Sequence, residues 1–175
     1  GSVMFWLGVT GALWRSSEWI TAIAAGLLYA HSLPRLAAAR EAAAFAAELR
    51  GAATRIVAPA LLALCLLWLL LPQALALLYR ADLPVTRLDA LPFFAGDALR
   101  MFSWVFLFGL FARSAGRAVM LGEFLSLPLF AVLLWLMPGP VELVRIGLCW
   151  LLAYTVYGGF NAWALHRGRT PGGRH

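Results

Sequence analysis

Asp97, Arg100 and Glu123 stand inside stretches otherwise apolar enough to cross a bilayer, and Arg15 and Glu18 stand at the edge of another. A charge at the centre of a membrane helix costs roughly 2.5–3.5 kcal/mol on insertion scales, so such residues face a partner or a water-filled cavity. Asp97 and Arg100 are spaced i, i+3 and share a helix face, as do Arg15 and Glu18, so each couple can pair along its own helix. Ser103 and Trp104 continue the Asp97 face, while Phe102, Val105, Phe106 and Phe111 suit lipid or helix packing. Two readings fit these five charges. In one they form a polar pathway through a bundle, with arginines holding an anionic group and carboxylates carrying protons or sodium. In the other they only hold helices in register. Arginine suits phosphate because its planar fork gives bidentate, charge-assisted bonds and stays ionised. Glu123 has no basic neighbour on its own helix, so it is protonated, paired across helices or open to a cavity. The eight Trp and eleven Phe are ordinary for interface belts and lipid-facing surface; they do not by themselves make a sugar platform, although Trp14, Trp19 and Trp104 could stack on a sugar.

The elements that position these groups follow from composition. Hydrophobic residues make up 63% and charged residues 13% of the chain, against roughly 25% charged in a soluble domain. This predicts an all-α, polytopic transmembrane helix bundle. The net charge of +6 comes from 14 basic residues, all arginine. They fall mostly between apolar runs, as in membrane proteins, which argues against a nucleic-acid partner. Cys65 and Cys149 lie inside apolar runs and read as packing residues rather than a disulfide or metal site. No His, Cys and carboxylate cluster has ligand spacing, and no glycine loop could cradle a phosphate, so neither a metal nor a cofactor is expected. Ser16, Ser17, Ser103 and Ser126 have no adjacent histidine, and His31 reads as an interfacial residue, so the chain is not expected to be an enzyme.

About five spans are predicted, over residues 12–33, 56–78, 93–112, 118–137 and 141–165, making residues 1–165 one membrane bundle. A span needs about 20 residues. An alanine-rich surface helix is expected over 36–50, because alanine favours helix while Arg40, Glu41, Glu48 and Arg50 keep it out of the bilayer. Pro59 and Pro72 are expected to bend the second span. Arg145, near the start of the fifth, is placed to snorkel, and Tyr154, Tyr157 and Asn161 lie on that span's later half. Residues 166–175 read as a disordered cytoplasmic tail. Arg35, Arg40, Arg50, Arg55, Arg113, Arg117, Arg167, Arg169 and Arg174 fall on one side, against Arg80 and Arg87 on the other. The positive-inside rule makes the first side cytoplasmic, with the amino terminus outside and the carboxyl terminus inside. Gly1-Ser2, in place of an initiator methionine, and an outside start both suggest a piece of a longer protein.

Two stretches resemble the Wzx-type flippases of lipid-linked O-antigen and enterobacterial common antigen units, within the multidrug/oligosaccharidyl-lipid/polysaccharide exporter superfamily. The first is Trp14 to Leu36, where Arg15, Ser17-Glu18 and an apolar helix ending in Leu33-Pro34-Arg35-Leu36 look like the second helix of that family's carboxyl-terminal lobe. The second is Gly96 to Glu123, where Gly96-Asp97, Arg100, Ser103, an aromatic run, Ala112-Arg113 and Glu123 keep the family's order; Ala153 to Tyr157 is also similar. The resemblance implies helices eight to twelve of a two-lobe transporter whose amino-terminal lobe lies outside this chain. It implies ion-coupled translocation of an undecaprenyl-pyrophosphate-linked oligosaccharide across the bacterial inner membrane. Arg15 and Arg100 would then contact pyrophosphate or glycan with Trp104 beside them, and Glu18, Asp97 and Glu123 would serve charge balance or ion coupling. Two alternatives stay open: a drug or metabolite exporter of the same superfamily, whose cavity takes amphipathic cations, and a small scaffold whose intramembrane charges are assembly contacts.

Overall fold

The computed structural model describes residues 15, 17–39, 41–79, 85–139 and 142–168. The expected start of the first span, Trp14, Ser16, Arg40, Arg80 and the tail beyond Gly168 lie outside them. The described elements are helices: α1 over residues 17–38, α2 Ala42–Leu69, α3 Leu71–Tyr79, α4 Arg87–Ala112, α5 Gly116–Leu136 and α6 Leu143–Arg167. Among the described residues there is no strand, and α2, α4, α5 and α6 are long and apolar enough to cross a membrane. The protein is an all-α, polytopic membrane bundle.

Prolines set the local irregularities. A proline has no N–H and its ring clashes with the carbonyl four residues back. The α1 ladder shifts to a π-turn at Leu28–Ser32 just before Pro34, and the α2 ladder does the same at Ala53–Val57 just before Pro59. Pro72 ends α2 at Leu70, whose ψ falls to 4°, and α3 resumes beyond it. The second span is thus irregular just before Pro59 and interrupted just before Pro72.

Two boundaries differ from expectation. The surface helix over 36–50 is divided: Leu33–Ala38 closes α1, Glu41 is extended, and the rest begins α2. Between Ala42 and Pro59 nothing breaks an alanine-rich helix. Its Phe45, Leu49 and Ala52 are buried, so it extends the span instead of lying apart. The third span begins at Arg87 rather than 93, because Thr86 and Asp89 form a capping box in which Thr86 Oγ accepts from the Asp89 N–H at 3.2 Å and Asp89 accepts from the Thr86 N–H at 2.9 Å.

α4 and α6 form the centre of the bundle. They pack through small residues: a Cβ on Gly96 would collide with the Trp150 ring, one on Gly147 with the Phe93 backbone, and one on Gly158 with the Ser103 hydroxyl. Membrane helices approach closely where side chains are this small. The pairings 93 with 147, 96 with 150 and 103 with 158 climb together, so α4 and α6 run parallel. Glu18 meets Arg100 and Tyr29 meets Phe108, so α1 runs the same way. α2 runs opposite, since the Trp68 indole donates to the Arg87 carbonyl at 2.8 Å while Leu49 stands near Gly109.

Direction then sorts the arginines. The ends of α1, α4 and α6 and the starts of α2 and α5 share one end of the bundle, which carries Arg35, Arg50, Arg55, Arg113, Arg117 and Arg167. Contacts tie this end together: Arg113 lies 4.2 Å from the Phe45 ring centroid and donates to the Gly168 carbonyl at 3.3 Å. Arg87 and Arg145 stand at the other end. Near the start of α6 the Arg145 guanidinium reaches back toward that end of the bundle, donating to the Leu134 carbonyl at 2.5 Å and also to the Gly139 carbonyl. It satisfies carbonyls that the end of α5 leaves open.

Candidate functional site

Arg100 lies near the middle of α4, a helix about 39 Å long at 1.5 Å per residue, and so near mid-depth of the bundle. Its Nη1 donates to Glu18 Oε1 at 2.8 Å, an ion pair from α4 to α1. The guanidinium carbon stands 4.7 Å from the Trp104 ring centroid, 5.7 Å from Trp150 and 5.8 Å from Tyr154. Trp104 is one turn from Arg100 on the same helix, and Trp150 and Tyr154 are one turn apart on α6. Flat rings on two helices thus receive one planar cation, an arrangement attractive through the ring quadrupoles.

Beside this group opens a cleft of about 340 Å³. Its floor is Arg100 and Trp104 from α4 with Trp150, Tyr154 and Tyr157 from α6. One wall is Glu18 of α1, and the other is Glu123, Ser126 and Leu127 of α5. The Tyr157 hydroxyl donates to Glu123 Oε1 at 2.6 Å, and Ser126 Oγ donates to the Glu123 backbone carbonyl at 3.2 Å. Gly122 makes room for this junction, because a Cβ there would press on the Asn161 amide. The cleft unites both wall carboxylates, the arginine and four aromatic rings.

Asp97 does not line the cleft. It is 1% exposed behind Trp150, whose indole donates to its Oδ1 at 3.0 Å, with Ser17 of α1 on its other side. The Trp150 ring is fixed by edge contact with Phe130 and Tyr154, centroids 5.3 and 4.7 Å away, and stacks near Phe93. Arg15 is exposed and is not part of the cleft lining. Both pairings expected along single helices give way to pairings across helices. Arg100 reaches Glu18 rather than Asp97, because α1 and α6 supply partners on both sides of the α4 face.

Of the residues expected to serve a site, Glu18, Arg100, Trp104 and Glu123 come together; Asp97 supports them from behind, and Arg15 stands apart. Trp150, Tyr154, Tyr157 and Ser126 join the lining without having been singled out for it. The signal for the α6 residues was present, since Trp150, Tyr154, Tyr157 and Asn161 follow i, i+4, i+7, i+11 spacing and so lie on one helix face. Both cysteines are free, Cys65 exposed on α2 and Cys149 buried in α6. Among the described residues no group of three or more His, Cys, Asp or Glu could hold a metal ion.

No protein-family model, curated protein or solved structure matches this chain.

Proposed function

We propose that this protein takes part in moving an undecaprenyl-pyrophosphate-linked oligosaccharide across the bacterial inner membrane, by ion-coupled alternating access, for the assembly of a surface polysaccharide. The observation that carries this reading is the mid-depth cleft, where four aromatic rings stand beside Glu18, Arg100 and Glu123. Sugar rings present apolar C–H faces, which stack on aromatic rings, and hydroxyls, which bond carboxylates and guanidinium groups. A mostly apolar lining with a few convergent polar groups is the usual form of a small-molecule site, and transporters place such sites near the bilayer midplane. The resemblance of the Trp14 to Leu36 and Gly96 to Glu123 stretches to lipid-linked oligosaccharide flippases supports the same reading. On it, a second six-helix lobe completes the cavity.

Orientation in this reading follows from the arginines. The end carrying Arg35, Arg50, Arg55, Arg113, Arg117 and Arg167 faces the cytoplasm. The start of α1 is then periplasmic and the end of α6 cytoplasmic.

The test is complementation in cells whose surface glycan depends on this protein. Arg100→Ala and Asp97→Asn reduce glycan display while membrane insertion persists; full display in both variants removes these residues from the mechanism. A second reading, export of an amphipathic cation by the same superfamily, draws on one feature of the cleft. Arg100 is already paired with Glu18, whereas Glu123 meets a neutral hydroxyl.

A further inference from the structure

An apolar groove of about 250 Å³ runs between α1 and α2, on the far side of α1 from the cleft. Ile20, Ile23 and Leu27 form one side of it and Ile56, Pro59 and Ala63 the other, with Arg55 at one end. Glu18, which lines the cleft, stands about 200° from Ile20 around the helix at 3.6 residues per turn, and the two recesses share no residue. From Ile20 to Leu27 the groove is about 10 Å long at 1.5 Å per residue. Glu18 meets Arg100 near mid-depth, so the groove runs from near the middle of the bundle toward its arginine-rich end. That length fits within the roughly 15 Å of hydrocarbon in one leaflet. Ile23 and Leu27 are exposed, so the groove opens outward to the surrounding bilayer.

Past Arg55 the same two helices flank a wider recess, lined by Arg35 and Ala38 at the end of α1 and by Ala44, Ala47 and Glu48 near the start of α2. Arg55 links the two spaces. It folds back over Gly51, where a Cβ would collide with its guanidinium, and its Nη2 stands 3.7 Å from Glu48 Oε2. At that distance the two charges attract without a hydrogen bond. Arg35 and Arg55 are both exposed, and among the described residues neither donates a side-chain hydrogen bond. Glu48 is the one carboxylate among the described residues that line either space.

We infer that one acyl chain of an anionic glycerophospholipid lies in the groove, with its phosphate bound by Arg55 and its headgroup in the recess beside Arg35. Two arginines against one carboxylate favour a headgroup of net negative charge, and basic pockets between membrane helices bind such headgroups. A second copy of this chain fits worse: sharing one orientation in the membrane, it brings its own arginine-rich end to the same level. The inference rests on the membrane bundle and not on the oligosaccharide reading, so either can fail alone.

The experiment is native mass spectrometry of the purified full chain released from detergent, with phosphatidylglycerol, phosphatidylethanolamine and phosphatidylcholine of one acyl composition as separate probes. One tightly held phosphatidylglycerol is expected, preferred over either zwitterionic lipid by about fivefold or more, since each arginine near an anionic headgroup contributes about that factor. Arg35→Gln combined with Arg55→Gln should remove the preference. Ala60→Phe, which fills the groove, should remove the retained lipid whatever its headgroup. The ranking of the three lipids in the unaltered protein stands as a test even if a variant fails to fold. Equal binding of the three lipids, or a preference that survives the double arginine change, overturns the inference. A dimer without lipid that Ala60→Phe dissociates also overturns it and assigns the groove to a second copy. Retention of no lipid overturns it as well.

Discussion

The indole of Trp150 donates to Asp97 Oδ1 at 3.0 Å, and both residues are 1% exposed. This bond fastens α6 to α4 at the level of the cleft and holds the ring that receives Arg100. Trp150→Phe keeps the aromatic packing and removes the donor, leaving a buried carboxylate short of one partner. The expected cost is about 1–3 kcal/mol, read as a lowered unfolding midpoint in detergent. Trp150→Phe combined with Asp97→Leu should recover part of that loss, because neither partner is then left unmatched.

The Arg100 to Glu18 pair should show a similar asymmetry. Arg100→Met alone leaves Glu18 facing rings and a second carboxylate, and is expected to destabilise the protein by about 1–3 kcal/mol. Arg100→Met with Glu18→Gln should be milder than the sum of the two single changes, with a coupling of about 0.5–3 kcal/mol in a double-mutant cycle. Strict additivity would mean that the pair is not formed in solution.

Glycine substitutions should separate by position. Gly96→Ala and Gly147→Ala force a Cβ into the Trp150 ring or the Phe93 backbone, and overpacking of this kind costs about 1–3 kcal/mol. Gly26→Ala and Gly159→Ala meet open space and should be neutral or stabilising by up to about 1 kcal/mol, since alanine is the better helix former. Melting curves of the four variants measure the contrast.

Single cysteines in a background lacking Cys65 and Cys149 test the bundle's direction. With a membrane-impermeant maleimide, Arg113→Cys and Arg167→Cys should label from one face of the membrane, and Thr86→Cys and Glu142→Cys from the other. Labelling of Arg113→Cys and Thr86→Cys from the same face would contradict α4 as a span.

Most of the bundle was legible in the sequence because apolar length and proline placement act locally. The uncharged run from Ile56, the breakers around Gly139 and the irregularities before Pro59 and Pro72 announce themselves within a few residues. Partner choice is not local. Asp97 and Arg100 satisfy the i, i+3 rule, yet each finds a better-placed group on another helix, and no spacing along α4 encodes the arrival of Glu18 or Trp150. The division of the alanine-rich stretch escaped for a related reason: Phe45 and Leu49 are buried by contacts distant in sequence, so composition alone suggested a surface element. Trp150, Tyr154 and Tyr157 were visible as a stripe, but only the neighbouring helices turn a stripe into the floor of a cleft.

The paired π-turns of α1 and α2 have a mechanical consequence. They lie at a common level, since Leu27 and Arg55 line one groove between the two helices. A bend at that level turns the amino-terminal part of α1 into a lever arm. Glu18 stands about ten residues from Leu28, or about 15 Å at 1.5 Å per residue. Rotation by about 10° then carries its carboxylate through about 2.6 Å, a distance comparable to the bond it makes with Arg100. A small change of angle at the α1 π-turn thus corresponds, at Glu18, to about the length of its bond to Arg100.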